Sequence, residues 1–145
     1  MAYNALSAYK ETRIRTASPG QLVVMLYDEA VKQLDKVLEL ANLNKSGKAN
    51  PNSIEVIGNA IVKTRDIITE LMVSLDFEQG GEIAQNLFSL YSWFNKELLE
   101  SHMSMDTGRM KSVRNMINDL RNAWVETTSK SSAKGRAVEG INIAG

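Results

Sequence analysis

The chain has no cysteine, two prolines, one histidine and no excess charge of either sign across its 145 residues. Each shortage excludes something. Without cysteine there is no disulfide framework and no thiolate metal site. A balance of 17 basic and 17 acidic residues lacks the basic excess of a general nucleic-acid or membrane-surface binder. No apolar run approaches the ~20 residues that cross a bilayer, so membrane insertion is not expected. The first ten residues, MAYNALSAYK, lack the basic start and apolar core of a secretory signal. These readings predict a cytoplasmic protein.

What is present is helical patterning. Both prolines, Pro19 and Pro51, stand where helices should begin. In the stretch TASPGQLVVMLYD, Ser18, Pro19 and Gln21 form a capping box with proline at the first helical position. The first helix is expected from Pro19 to about Asn44, with Leu22, Val23, Leu26, Tyr27, Ala30, Leu34, Val37 and Ala41 toward the core. NLNKSGKANPN makes a turn. A second helix follows, from about Ser53 to Ser74, with Ile57, Ile61, Ile68 and Leu71 inward. DFEQGG turns the chain again. A third helix runs from about Glu82 to His102, with Ile83, Leu87, Tyr91, Phe94 and Leu98 inward. A fourth, capped by Ser104 or Asp106, ends near Thr128, with Met110, Val113, Ile117, Leu120 and Trp124 inward. Four amphipathic helices with short connections predict an all-α, antiparallel up-and-down four-helix bundle. Residues 1–15 are expected to form a short helical cap, residues 16–128 the bundle and residues 129–145 a flexible tail.

Catalytic chemistry has little to stand on. His102 sits near a helix end, where the dipole favours it. Its nearest acidic neighbour, Glu100, is two positions away and points to another face. Di-iron bundles instead use Glu-x-x-His pairs on inward faces. Gly80-Gly81 lacks the strand and the Lys-Ser/Thr of a phosphate loop. No enzyme activity, cofactor or metal is expected. The stronger signal is surplus apolar surface. Val56, Ala60 and Ile67 on the second helix, Phe88 and Leu99 on the third and Met116 on the fourth form stripes beside the core faces. Surface of this kind marks interaction sites. It fits dimerisation, a wider core, or a groove for an amphipathic helix of another protein.

Three stretches carry a family resemblance: Thr16 to Asp28 (TASPGQLVVMLYD), Ser74 to Leu87 (SLDFEQGGEIAQNL) with Leu90-Tyr91, and Leu120 to Trp124 (LRNAW). The chain resembles the flagellar secretion chaperone FliS family over residues 6–125. The resemblance implies a four-helix antiparallel bundle with a short N-terminal cap. It implies that the client is the C-terminal segment of flagellin, held as an extended wrap with helical pieces in apolar grooves. Premature polymerisation is thereby blocked, and the client goes to the type III export gate. The groove is expected at Val56, Ala60, Ile67, Phe88, Leu99 and Met116. In the family the N-terminal segment covers part of the groove and contributes to docking on the export-gate protein FlhA. Leu6 and Tyr9 match that segment. The chain departs from many relatives at Glu29, often glycine, and in its longer tail. The rival reading is a self-associating bundle with no flagellin client.

Overall fold

A computed structural model describes the backbone at residues 19–48 and 50–144 and the side chains at residues 20–48 and 50–129. The cap segment, with Leu6 and Tyr9, lies outside the described residues, as does Ser18 of the capping box. Four α-helices follow one another: α1 (Pro19–Lys45), α2 (Ser53–Val73), α3 (Phe77–Ser104) and α4 (Thr107–Ala144). No strand occurs among the described residues.

Local chemistry sets the boundaries. Gly47, at φ +77°, turns the chain after α1. The Asp76 carboxylate accepts from the backbone N–H groups of Glu78 and Gln79 at 3.1 and 3.0 Å, capping α3. α3 is broken at Gly81, whose φ of 50° and ψ of −124° lie outside helical geometry. The DFEQGG turn is therefore a capped helical turn joined to the main helix through a glycine hinge. Met105, in the left-handed region, closes α3. Asp106 then accepts from the Arg109 backbone N–H at 3.2 Å and caps α4.

α4 does not end near Thr128. Its backbone stays helical through Ala144, so the expected boundary of a separate tail at residue 129 has no counterpart in the backbone. Gly135 and Gly140 each cost about 1 kcal/mol against alanine in a helix. No proline follows Thr107 to remove a donor and force a stop.

The helices pack as a square, α1 on α2, α2 on α3, α3 on α4 and α4 on α1, with no close approach between the diagonal pairs. Tyr27, Leu34, Ile61, Ile68, Phe94, Leu98 and Ile117 are among its fully buried side chains. The Tyr27 and Tyr91 hydroxyls hydrogen-bond to each other, linking diagonal α1 and α3 through the interior. Burial pushes both phenols above their ordinary pKa. On one seam, Asp28 pairs with Arg121 at 2.7 Å and Asp35 with Arg114 at 2.8 Å. Both members advance by seven residues, so the pairs form a ladder along antiparallel α1 and α4. Glu29 closes the next seam, 3.4 Å from Lys63 of α2. Burial works against its charge, but the Gln33 hydrogen bond and the Lys63 and Lys32 charges outweigh it and hold its pKa low.

Candidate functional site

The described residues carry no group of three or more His, Cys, Asp or Glu side chains that could hold a metal ion. Two of the cavities they build are mainly apolar. One open cavity, of about 390 Å³, lies at the end of the bundle where α1 begins. Gly20 and Val23 of α1 form one wall. Leu71, Leu75 and Asp76 form the next, and Gly80, Ile83, Ala84 and Leu87 of α3 the third. Ser74, Gln79, Tyr91 and Trp124 complete the lining. Trp124 meets Tyr27 edge-on, with ring centroids 6.3 Å apart. The three stretches singled out in the sequence, distant along the chain, thus meet around one space. A second cavity, of about 370 Å³, lies at the opposite end among Ile54, Ile57, His102 and Met105, and none of the three stretches reaches it.

Local backbone shapes the first cavity. A side chain at Gly20 would press on Thr128, 3.1 Å from the position of its Cβ. Glycine there lets α1 and α4 approach closely. At Gly80 a Cβ would lie 2.8 Å from that of Ala84. The Gly81 break sets the direction in which the Asp76-capped turn meets the rest of α3.

The expected groove residues divide. Ala60 and Ile67 are 3% and 0% exposed and belong to the core, not to a groove. They stand on the α2 face that turns inward and toward α1, so the wide apolar arc of α2 is spent on the interior. Val56, Phe88, Leu99 and Met116 are partly exposed, but on three different seams. Lys63, seven residues after Val56 and so on the same face, pairs with Glu29 of α1; Val56 therefore borders the α1–α2 seam. Asn95, seven after Phe88 and four before Leu99, donates to Thr69 of α2 at 3.3 Å; Phe88 and Leu99 therefore border α2–α3. Arg109, seven before Met116, binds Glu97 and Glu100 of α3 at 2.7 and 2.8 Å; Met116 therefore borders α3–α4. That bidentate contact holds the Glu97 pKa low and raises that of Arg109.

Ile83, expected inward, lies outside the core, and its neighbour Ala84 is buried in its stead. Ile83 is 70% exposed and Ala84 3%. Ile83 lies on the same line of α3 as Ser101, about five turns further on, and Ser101 is buried. The difference is position along the bundle: Ser101 sits where the neighbours close over it, and Ile83 sits at the open end. Periodicity reports the face of a helix and is blind to its depth. Phe77 and Phe88, which directly follow the lining residues Asp76 and Leu87, pair edge-on at 5.9 Å. They carry exposed aromatic surface from the cavity rim into the α2–α3 seam.

The chain is similar to known proteins over a range that includes all three stretches. The family described as "Flagellar protein FliS" matches residues 2–131. A relative from Salmonella typhimurium, the flagellar secretion chaperone FliS, is 31% identical over 125 residues, which is 84% of this chain and 85% of the relative. Proteins of the same name from Escherichia coli and Bacillus subtilis are 32% and 26% identical, over 81% and 83% of this chain and 81% and 84% of their own.

Proposed function

The chain belongs to the FliS family of flagellar secretion chaperones, and from that premise we infer that it is a cytosolic export chaperone for flagellin. It holds the C-terminal segment of flagellin, keeps it from polymerising and passes it to FlhA at the type III export gate. The observation that carries this reading is the convergence of all three resembling stretches on one open, apolar cavity, with Ile83 exposed on its rim. A client that orders on binding bears an entropic cost and needs a large apolar interface to offset it. The cavity and the seams with exposed Val56, Phe88, Leu99 and Met116 supply apolar surface on several sides. That arrangement suits a segment wrapped around the bundle better than one confined to a single groove. Leu6 and Tyr9, in the N-terminal segment, are assigned to the cover and the export-gate contact.

Titration with a flagellin peptide of ~40 C-terminal residues (a reach set by ~1.5 Å per helical residue) tests this directly. The expected result is a one-to-one complex by light scattering and calorimetry, with binding weakened at least tenfold in Ile83→Asp while the helical signal is unchanged. A protein that self-associates and ignores the peptide would overturn the reading in favour of an oligomerising bundle.

A further inference from the structure

The start of α3 is bent, and three independent features place the bend between its first turn and the rest of the helix. Gly81 stands at φ 50° and ψ −124° inside the helix, a region that glycine alone adopts freely. A Cβ at Gly80 would lie 2.8 Å from that of Ala84, whereas residues four apart on a straight helix hold their Cβ atoms about 5–6 Å apart. Phe77 and Phe88 meet with ring centroids 5.9 Å apart, yet a straight helix would separate these two positions by about 16 Å along its axis. The first turn is thus folded back against the helix that follows it. It is also self-contained. The Asp76 carboxylate accepts from the Glu78 and Gln79 N–H groups, and the Asp76 carbonyl accepts from the Gly80 N–H at 2.7 Å, so the cap travels with the turn. Asp76, Gln79 and Gly80 of this turn also wall the open-end cavity.

We propose that residues 76–80 form a flap hinged at Gly81. It exchanges between the bent form, which walls the cavity, and a straight form in which α3 runs unbroken from Phe77 and the cavity loses that wall. The bent form is latched by the Phe77–Phe88 contact. Both rings are nearly half exposed, so the latch is a small one. The straight form needs no further unfolding. The link from Val73 to Phe77 spans up to roughly 13–14 Å when extended, beyond the 8–10 Å between the axes of packed helices. What holds the straight form back is the pair of glycines, since each is a poor residue inside a helix. Each is also what the bent form demands, Gly81 by its dihedral angles and Gly80 by its approach to Ala84. Alanine at both positions reverses both preferences. Hinge and latch belong to the free chain, so the exchange needs no client. An occupant of the cavity that touches the flap shifts it toward the bent form by its differential affinity for the two.

The test uses the full chain. It has no cysteine, so spin labels at Glu78→Cys and Met103→Cys, both exposed positions, report a single distance. A straight α3 sets that distance at about 37 Å, and the folded-back turn shortens it. The parent protein is expected to show a shorter main distance with a minor fraction at the long one. Phe88→Ala removes the latch and is expected to raise the ratio of long to short about twofold to tenfold. Gly80→Ala with Gly81→Ala is expected to carry most molecules to the long distance. That double variant is also expected to melt no lower than the less stable of its two single variants, because the straight form accepts both alanines. The short distance kept in every variant, with melting temperatures that fall additively, would show a rigid corner and overturn the proposal. A broad spread of distances in the double variant, with no peak at the long one, would show the turn unravelling and would overturn it as well. Neither result touches the chaperone reading, which peptide binding tests separately.

Discussion

Tyr27 and Tyr91 concentrate the physics of the interior in one hydrogen bond. Both rings are buried, and each hydroxyl has the other as its partner across the bundle diagonal. Removing one hydroxyl strands the other, which costs about 1–3 kcal/mol, whereas removing both is close to neutral. Tyr27→Phe or Tyr91→Phe alone is therefore expected to lower unfolding free energy by about that amount, and the double variant by less than either single one. Chemical denaturation of the four proteins of this cycle measures it. The pH dependence has a definite sign. Burial raises both folded pKa values above the ordinary phenol value of about 10, so the folded state keeps its phenolic protons when the unfolded state gives them up. Stability is fully present below about pH 10 and falls as pH climbs beyond it. Denaturation curves between about pH 8 and 11.5 are expected to show that loss in the parent protein and a flatter profile in the double phenylalanine variant.

At the scale of single elements, the α1–α4 seam and the start of α3 make contrasting demands. The ladder of Asp28–Arg121 and Asp35–Arg114 is largely exposed, and such pairs contribute about 0.2–1 kcal/mol each. Arg114→Ala with Arg121→Ala is expected to reduce stability by no more than about 2 kcal/mol in dilute salt. The difference from the parent protein should shrink toward zero near ~1 M salt, where the screening length is roughly 3 Å. A loss insensitive to salt would mean that the arginine stems, not the charges, hold the seam. The Gly81 hinge is a backbone requirement instead. At φ +50° and ψ −124° an L side chain is strained by about 1–3 kcal/mol. Gly81→Ala is expected to lower stability within that range and, because Ile83 and Ala84 follow directly, to weaken client binding as well. Calorimetric melting and peptide titration on the same sample separate the two effects.

The whole molecule is a bundle that exposes large apolar side chains beyond its core, at the open end and along several seams. A client wrapped over such a surface gains from many modest contacts, so no single seam residue should abolish binding. Phe88→Asp is expected to weaken peptide binding by about tenfold without unfolding the protein. Ile67→Asp, by contrast, should unfold it, since Ile67 is wholly buried and a charge there lacks solvent and partner. Deleting residues 2–12 is expected to leave the bundle folded, with flagellin affinity equal or tighter and export poorer. A reporter-export assay beside the peptide titration checks it, and loss of client binding would remove the cover role.

Sequence alone determined the helical class, the three connections between helices and nearly all the interior, because proline, glycine and capping residues act locally and apolar periodicity marks a face. It read the starts of α1 and α2, the Asp76–Gly81 turn, and Leu26, Ile57, Phe94, Leu98 and Ile117 as core. It misread Ala60 and Ile67, since core and seam differ by only about 60° around a helix, less than the 100° step between neighbours, and only the neighbouring helix decides which side is covered. It misread Ile83 because depth along the bundle has no period. Only the tertiary structure decided that the three resembling stretches surround one cavity, and that the exposed residues of the expected groove lie on three seams. Each follows from which helices are neighbours, and no local interaction encodes that.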